Sequence, residues 1–291
     1  MMYFLGHINK WKPGLQTKTV NSLTVDVEDW FHICGLELEP KIAAADWRVR
    51  SNVEKLLLLL AKHNVRATFF VLGCVAEALP ELVTQIASAG HEIASHGYSH
   101  RMVSELAPRR FRDEIRHTGD ILERQSGQKT VGFRAPQWSL SAANPWAFEI
   151  LHEEGYRYDS SCNPLPFVGN PAGLRTPFKI SVARGFLWEI PPMVTPSLLG
   201  NLPTGGGWGF RVFPQRMVHE SIRELNSAGA PAVIFLHPRE LDPSGLRLRL
   251  KPLKKFAAYG PRSDVSGRLD TLMRRFRFGT LREMVDKWES V

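Results

Sequence analysis

Short apolar runs alternate along the chain with segments whose apolar residues recur every three or four positions. The apolar runs, rich in β-branched and aromatic residues, predict buried strands at 22–27, 67–72, 92–95, 132–133, 187–190 and 232–236. The helical periodicity predicts helices at 51–63, 82–89, 109–125 and 144–154, and the last three end close to a glycine. Strands that alternate with helices predict an α/β fold of parallel βα units, closed into a barrel or wound into an open sheet.

The Pro- and Gly-rich region 164–209 interrupts this alternation, and it contains the triplet Gly205-Gly206-Gly207. We expect a long loop insertion near the rim that carries the strand ends, because loops of such length usually have a functional role. A phosphate-binding role for the glycines is not supported by any neighbouring GK[ST] or G-x-G-x-x-G motif.

Composition places the chain among ordinary globular proteins, with 43% hydrophobic and 23% charged residues in 291 positions. The longest aliphatic stretch, 56–61, is too short to cross a bilayer. The first 21 residues include lysines and lack the apolar core of a signal peptide, so we expect a cytoplasmic protein. Three widely spaced cysteines predict buried thiols rather than a disulfide framework.

The net charge of +8 is concentrated near the C-terminus, where residues 244–291 contain twelve basic and five acidic side chains. Either this region is the solvated face of C-terminal helices, or it binds an anionic partner such as a membrane surface or a lipid-linked phosphate. No nucleic-acid motif interleaves aromatic residues with these charges, so we expect no nucleic-acid partner. We therefore divide the chain into an N-terminal segment (1–20), a main domain (21–241) and a basic C-terminal extension (242–291) packed on it.

Chemically reactive side chains follow the predicted strands. Asp26, Glu28 and Asp29 end the first strand, and His96 and His100 follow the third. Two imidazoles and a carboxylate form a three-ligand set for a catalytic divalent metal, while a second carboxylate could act as general base. In an α/β barrel the carboxyl ends of the strands carry the active site. The alternative is structural: a helix cap or solvated turn for the acids, and backbone-bonded loop histidines.

Three further residues lie at later strand ends. An inward-directed Arg134 would pair with Asp26 and keep it ionised, whereas a surface arginine would not. His237 ends a buried strand, which suits a general acid. Asp159 could orient that imidazole, although a purely structural role fits it equally well.

In this order the motifs resemble the polysaccharide deacetylase family with the NodB-homology domain (carbohydrate esterase family four). The resemblance covers about residues 20–241 and rests on Asp26-Val-Glu28-Asp29, the stretch 90–100, Phe133-Arg134-Ala-Pro136, Tyr158-Asp159-Ser-Ser and Phe235-Leu-His237. Glu-Ile-Pro-Pro at 189–192, the glycine triplet and Arg-Phe-Arg-Phe-Gly-Thr-Leu at 275–281 are similar to a subgroup linked to exosortase and PEP-CTERM exopolysaccharide loci.

The resemblance implies a distorted (β/α) barrel that binds a divalent metal, usually zinc, through one acid and two histidines. By position it implies the following roles: His96 and His100 as ligands, Asp26 as base, His237 as acid, Arg134 as the residue that tunes Asp26, Asp159 as the support of His237, and the Gln137 N–H as an oxyanion donor. Val27 separates the acids where the family usually has adjacent aspartates, so Glu28 is expected to bind the metal, with Asp29 as rival.

A second departure is Ser160, which stands where a tryptophan often follows the aspartate of this motif. The wall of the sugar pocket must then come from elsewhere, and Trp138, Trp208 and Trp146 are candidates. The implied reaction is removal of N-acetyl groups from hexosamines of a polysaccharide, or of its lipid-linked precursor, in exopolysaccharide synthesis. The alternatives are a hydrolase of another non-peptide C–N bond, such as a cyclic imide or a formamido sugar, and a non-catalytic glycan-binding protein. Peripheral membrane contact through the basic extension is compatible with each.

Overall fold

The computed structural model describes residues 19–32, 47–245, 247–260 and 264–290, so nearly all of the predicted N-terminal segment, and Cys34, lie outside the described residues. The strands are β1 (Asn21–Val27), β2 (Thr68–Val71), β3 (Glu92–Ser95), β4 (Gly132–Phe133), β5 (Tyr158–Asp159), β6 (Phe178–Val182), β7 (Gly185–Glu189), β8 (Thr195–Ser197), β9 (Gly200–Leu202), β10 (Val233–Leu236) and β11 (Phe278–Gly279). The helices are α1 (Val49–Lys62), α2 (Gly73–Ala78), α3 (Pro80–Ser88), α4 (Pro108–Ser126), α5 (Trp146–Glu153), α6 (Gly207–Val212), α7 (Gln215–Ser227), α8 (Pro252–Tyr259), α9 (Val265–Arg275) and α10 (Leu281–Glu289). Among the described residues, no helix combines the length and apolar character needed to span a bilayer.

One curled sheet organises the molecule, with the strand order β10-β1-β2-β3-β4-β5-β7-β6 and with β11 beside the start of β1. Every neighbouring pair in it is parallel except β6 and β7. On the side between β7 and β10, irregular backbone makes the contacts that a strand would make. Met193 N–H donates to the Val233 carbonyl (2.9 Å), Gly205 N–H to that of Met193 (3.1 Å), and Phe235 N–H to that of Gly205 (2.8 Å). The predicted distorted α/β barrel is confirmed as a half-barrel.

Strand β1 shows how the sequence directs polar groups inward. All seven of its residues are buried. Because side chains alternate across a strand, Leu23, Val25 and Val27 face one side and join the apolar cluster that includes α1. Thr24 and Asp26 face the other side, and the Thr24 hydroxyl donates to the Ile234 carbonyl at 3.0 Å. Asp26 therefore ends β1 on the polar inner side of the sheet.

The structure corrects the sequence prediction for region 164–209 and for the start of α1. Region 164–209 is not a loop, because it contains β6 to β9 and the start of α6. Strands β6 and β7 form an antiparallel pair joined by a turn that ends at Gly185. The high Pro and Gly content of the region hides these strands in the sequence. Helix α1 begins at Val49 and not at residue 51. The carboxylate of Asp29 accepts the N–H groups of Arg48 (2.7 Å) and Val49 (2.9 Å), and so it caps the helix from a distant part of the chain.

The C-terminal residues are part of the same sheet and core. Strand β11 pairs with Asn21 and Ser22 of β1. In α10, Leu281, Met284 and Val285 pack in one cluster with side chains from β2 and β5. Thr280 caps this helix through a capping box with Glu283.

Glycine at position 209 allows α6 to approach the chain just before it. A Cβ atom there would lie 1.8 Å from the carbonyl oxygen of Pro203, which is part of the backbone and cannot rotate away. Gly209→Ala should therefore lower the free energy of unfolding by about 1–3 kcal/mol. Gly119→Ala is the matched control, because a Cβ there would lie 3.7 Å from the nearest atom, and removing a glycine from α4 should raise that free energy by up to about 1 kcal/mol. Urea denaturation measures both, and equal effects would contradict the packing of α6.

Candidate active site

Arg134 lies at the centre of the site, directly after β4, with its side chain fully buried. Its Nη1 donates to Asp26 Oδ1 and to the Thr24 hydroxyl, each at 2.8 Å. Its Nε and Nη2 donate to the carbonyl (3.0 Å) and hydroxyl (2.8 Å) of Ser160. The contact predicted between Arg134 and Asp26 is thus present, and one guanidinium joins the ends of β1, β4 and β5.

Asp26 is ionised in this setting. Burial by itself raises the pKa of this carboxyl, but the positive charge of Arg134, together with His96 and His237, outweighs burial and holds the pKa below its usual value. The second oxygen, Oδ2, lies 3.9 Å from His237 Nε2. Asp26 is therefore a fixed, negatively charged acceptor at the end of β1.

Glu28, His96 and His100 come together beside Asp26, with one ligand atom from each lying within 4.8 Å of the others. His96 Nδ1 lies 2.8 Å from the Arg134 carbonyl oxygen, so Nδ1 carries the proton and donates, and Nε2 keeps its lone pair for a ligand. Glu28 Oε2 lies 2.8 Å from His100 Nε2.

The charge states of this group suit a divalent metal. Burial lowers the pKa of His96 to about 4, so the ring is neutral near pH 7. Burial raises the pKa of Glu28, but Arg239, His100 and His237 more than offset it and hold that pKa well below its usual value. A neutral imidazole and an ionised carboxylate are the forms that bind metal. Two nitrogens and one oxygen are a common protein ligand set of catalytic zinc sites.

Asp29, the rival ligand, has a different role. Its Oδ1 accepts the N–H of Trp30 (2.7 Å), and its Oδ2 accepts the two N–H groups that begin α1. These bonds occupy the carboxylate and hold the loop after β1 against the helix. Among the described residues, the metal-like group at this rim contains Glu28 and not Asp29.

His237 lies between the acids and a residue that the sequence analysis missed. Its Nε2 is 3.5 Å from Glu28 Oε1, and its Nδ1 is 3.2 Å from Glu240 Oε1. The side chain of Glu240 is buried, three residues further along in the short 3-10 turn Pro238–Leu241, and Arg211 lies 3.8 Å from the same oxygen. The sequence signal was the three-residue spacing in His237-Pro-Arg-Glu240, because a 3-10 turn that begins with proline places side chains three residues apart on the same side.

The expectation that Asp159 supports His237 is corrected by the structure. The parallel register of β5 and β7 places Asp159 opposite Glu189. Asp159 accepts the hydroxyl (2.6 Å) and the N–H (3.2 Å) of Ser161. Burial and the neighbouring Asp159 carboxylate raise the pKa of Glu189 well above its usual value, so Glu189 is the protonated partner. Asp159 therefore belongs to a buried acid pair one strand away from Arg134.

The three candidate tryptophans have different surroundings. Trp138 is half-buried, 5.1 Å from the Arg134 guanidinium and 4.8 Å from the Phe235 ring, so it borders the site. Trp208 packs against Phe213 and Phe256, and Trp146 packs against Phe111. Packing explains both of these rings without a sugar.

The rim of the site contains unusual backbone. His100, Gln137 and Trp138 have φ angles of 57°, 55° and 58°, in the left-handed region that costs non-glycine residues energy. Such conformations persist where surrounding contacts impose them, and here they cluster at the candidate site. Gln137 is exposed in the turn after Arg134, and the role of its N–H at an oxyanion stays a prediction.

Two more charged or titratable residues near Glu28 were missed. Arg239 contacts Glu28 Oε1, and it lines a cavity together with Asp29, Arg211 and Glu240. His32 accepts the N–H of Asp29 on Nδ1 at 2.9 Å, and its ring lies 6.0 Å from that of His100. Burial lowers the pKa of His32 to about 3, so this ring adds no charge near pH 7. Neither residue belongs to a motif that spacing alone would reveal.

Residues 41–158 match the family model of the polysaccharide deacetylases, and residues 160–286 match a domain of unknown function (DUF3473). The chain is 42% identical to the peptidoglycan-N-acetylglucosamine deacetylase of Bacillus cereus over 33% of its own length and 35% of that relative. It is 35% identical to a chitooligosaccharide deacetylase of Rhizobium leguminosarum bv. trifolii over 34% of its own length and 64% of that relative. The chain thus spans about a third of the Bacillus protein.

The fold matches a crystal structure from Mycobacterium smegmatis assigned to the polysaccharide deacetylases, with a TM-score of 0.65, 23% identity, and coverage of 98% of this chain and 96% of the other. At this identity the likeness shows the shared fold. The border between the two family matches falls at the end of β5, so one sheet contains both matched regions. Residues 41–158 are therefore identified as a polysaccharide deacetylase domain of the NodB-homology type.

Proposed function

We propose that this protein is a metal-dependent deacetylase that hydrolyses the N-acetyl group of hexosamines in a sugar polymer. The observation that carries the proposal is the placement of an ionised Asp26, paired with Arg134, beside the buried group Glu28, His96 and His100. Relatives named for their action on peptidoglycan and chitooligosaccharides support an N-acetylated sugar as substrate.

Glu28, His96 and His100 are the residues that would hold the metal, most simply zinc. When bound there, a divalent metal supplies a Lewis acid that polarises the amide carbonyl and makes water more acidic at neutral pH. The remaining chemistry belongs to the chain.

Asp26 would take the proton from the attacking water. Its Oδ1 is held by Arg134, which fixes the carboxylate and keeps it ionised, while Oδ2 faces the side on which His237 lies. Trp138 would form one wall for the sugar, and the exposed turn at Gln137 would present an N–H to the developing oxyanion.

His237 would give a proton to the departing nitrogen, because an amine anion is too poor a leaving group to depart unprotonated. Glu240 accepts from Nδ1 and so leaves Nε2 pointing towards Asp26 and Glu28, where the reacting atoms would lie. Water adds to the carbonyl carbon, the C–N bond breaks, and the products are acetate and the free amino sugar.

The substrate would belong to exopolysaccharide synthesis, as the polymer or its lipid-linked precursor, and the protein would act in the cytoplasm with peripheral contact to the membrane. The motifs at 189–192 and 275–281 and the basic C-terminal region support this setting. Cys74 and Cys162 are unpaired thiols, as is usual in a reducing compartment.

Metal content and acetate release test the proposal together. Glu28→Gln, His96→Ala and His100→Ala should lose bound zinc and turnover, because each removes a ligand. Asp26→Asn should keep the metal and lose turnover, and Asp29→Asn, the matched acid that caps α1, should keep the metal. The measurements are elemental analysis after dialysis and acetate release from N-acetylglucosamine oligomers with and without a chelator. Chelator-insensitive release, or release by the ligand variants, would contradict the proposal.

The pairing of Arg134 with Asp26 can be tested through stability. Arg134→Met leaves a buried carboxylate without its cation and should lower the free energy of unfolding by about 3–5 kcal/mol. In an Asp26→Asn background the same change should cost clearly less, because no charge is left unpaired. Chemical denaturation of the four proteins in this double-mutant cycle gives the coupling energy. Additive effects would show that the two side chains do not depend on each other.

Glu240 and Asp159 can be compared as supports of His237. Glu240→Gln should lower kcat by about 10- to 100-fold with little change in KM, part of the roughly 10²–10⁴ that general acid catalysis contributes. Asp159→Asn should leave kcat close to wild type. An N-acetyl nitroaniline, whose leaving group needs little protonation, should show a much smaller loss for Glu240→Gln if the effect acts through His237. Equal losses on both substrates would indicate a general structural effect.

A further inference from the structure

Helix α8 and the residues before it present an exposed basic and apolar surface. We call this the α8 surface; it consists of Arg247, Arg249, Lys251, Leu253, Lys254, Lys255 and Phe256, all exposed. Leu253 is 85% exposed and Phe256 43%. At a spacing of three residues they lie on one side of the helix, and lysines flank both.

The charge of this surface has one sign. Between Asp242 and Asp264 the sequence contains six basic residues and no acidic one. The α8 surface is therefore a concentrated positive patch around two apolar side chains.

The α8 surface is held at a fixed place beside the candidate active site. Arg211 donates to the carbonyl oxygens of Ala257 (2.6 Å) and Ala258 (3.3 Å) near the C-terminal end of α8. The same guanidinium lies 3.8 Å from Glu240, which contacts His237. Tyr259 is buried and its hydroxyl accepts the Leu248 N–H, so the inner side of the helix is anchored. Leu253 faces outward, and Phe256 packs against Trp208 on one side and is exposed on the other.

We infer that the α8 surface binds the face of a bilayer that contains anionic lipids. Basic side chains beside exposed leucine and phenylalanine are typical of helices that lie in the headgroup region, where the cations meet lipid phosphates and the apolar side chains enter the acyl boundary. An acidic polysaccharide or a nucleic acid would use the charges but would gain nothing from burying Leu253. The combination of charge and exposed apolar side chains therefore favours a membrane.

This placement has a consequence that rests on the proposed function. With α8 on the bilayer, the side-chain contacts that link α8 to His237, through Arg211 and Glu240, set the distance of the site from the lipid headgroups. An acetylated sugar attached to a lipid phosphate would then reach the site while its lipid stays in the membrane.

Vesicle sedimentation tests the inference without any need for activity. The full-length protein should sediment with vesicles of phosphatidylcholine mixed with phosphatidylglycerol, and much less with phosphatidylcholine alone. Arg249→Glu combined with Lys255→Glu should weaken binding at least about 25-fold, because each basic residue near an anionic surface contributes about fivefold in affinity. Leu253→Ser should weaken it about tenfold with no change in charge.

Arg109→Glu combined with Arg110→Glu is the matched control, since these exposed arginines give the same change in net charge on α4. This variant should bind vesicles nearly as well as wild type. Thermal unfolding of all variants checks that they remain folded. Equal losses for both charge pairs, no effect of Leu253→Ser, or retention only by DNA or an acidic polysaccharide would each overturn the inference. Active protein that ignores anionic vesicles would leave the deacetylase proposal intact and reject this one.

Discussion

The buried guanidinium of Arg134 is the interaction on which the sheet and the site both depend. Removing such a charge from water costs several kcal/mol, so it is tolerated only where its donors find acceptors. Asp26, Thr24 and two oxygens of Ser160 provide them from β1 and from the end of β5. The backbone carbonyl oxygen of Arg134 fixes the tautomer of His96. A shift of β4 relative to its neighbours would therefore disturb the proposed base and a proposed metal ligand at once.

The parallel sheet explains how much of this could be predicted from sequence. Strands β1, β2, β3 and β10 are continuous apolar runs, and their predicted positions agree with the structure to within one residue. Since parallel strands end at the same edge, polar residues just after them had to meet. That reasoning brought Asp26, Arg134 and the two histidines together without any knowledge of distances, and it predicted the ion pair between Arg134 and Asp26.

Other features depend on contacts that no local pattern records. Asp29 and Glu28 are chemically equivalent candidates in sequence, and the difference is that backbone N–H groups at 48 and 49, up to 20 positions away, reach Asp29. Asp159 faces Glu189 because of strand register, which spacing does not fix across a long connection. On the free side of β10, the backbone of Met193 and Gly205 makes the hydrogen bonds that a neighbouring strand would make. Neither residue belongs to a strand, so no strand pattern in the sequence predicts these contacts.

The site residues lie in the two matched regions and in the stretch before them, which contains Asp26 and Glu28, and this division indicates what the domain of unknown function contributes. His96, His100 and Arg134 lie in the region that matches polysaccharide deacetylases, whereas Glu189, Arg211, His237 and Glu240 lie in the region 160–286. That second region also supplies β10, the neighbour of β1, and therefore supports the strand that carries Asp26. In the proposed mechanism, His237 is the donor for the leaving nitrogen, and β1 without β10 would expose a buried strand edge. The two regions thus form one structural unit, in which the second region completes the half-barrel and contains the proposed proton donor.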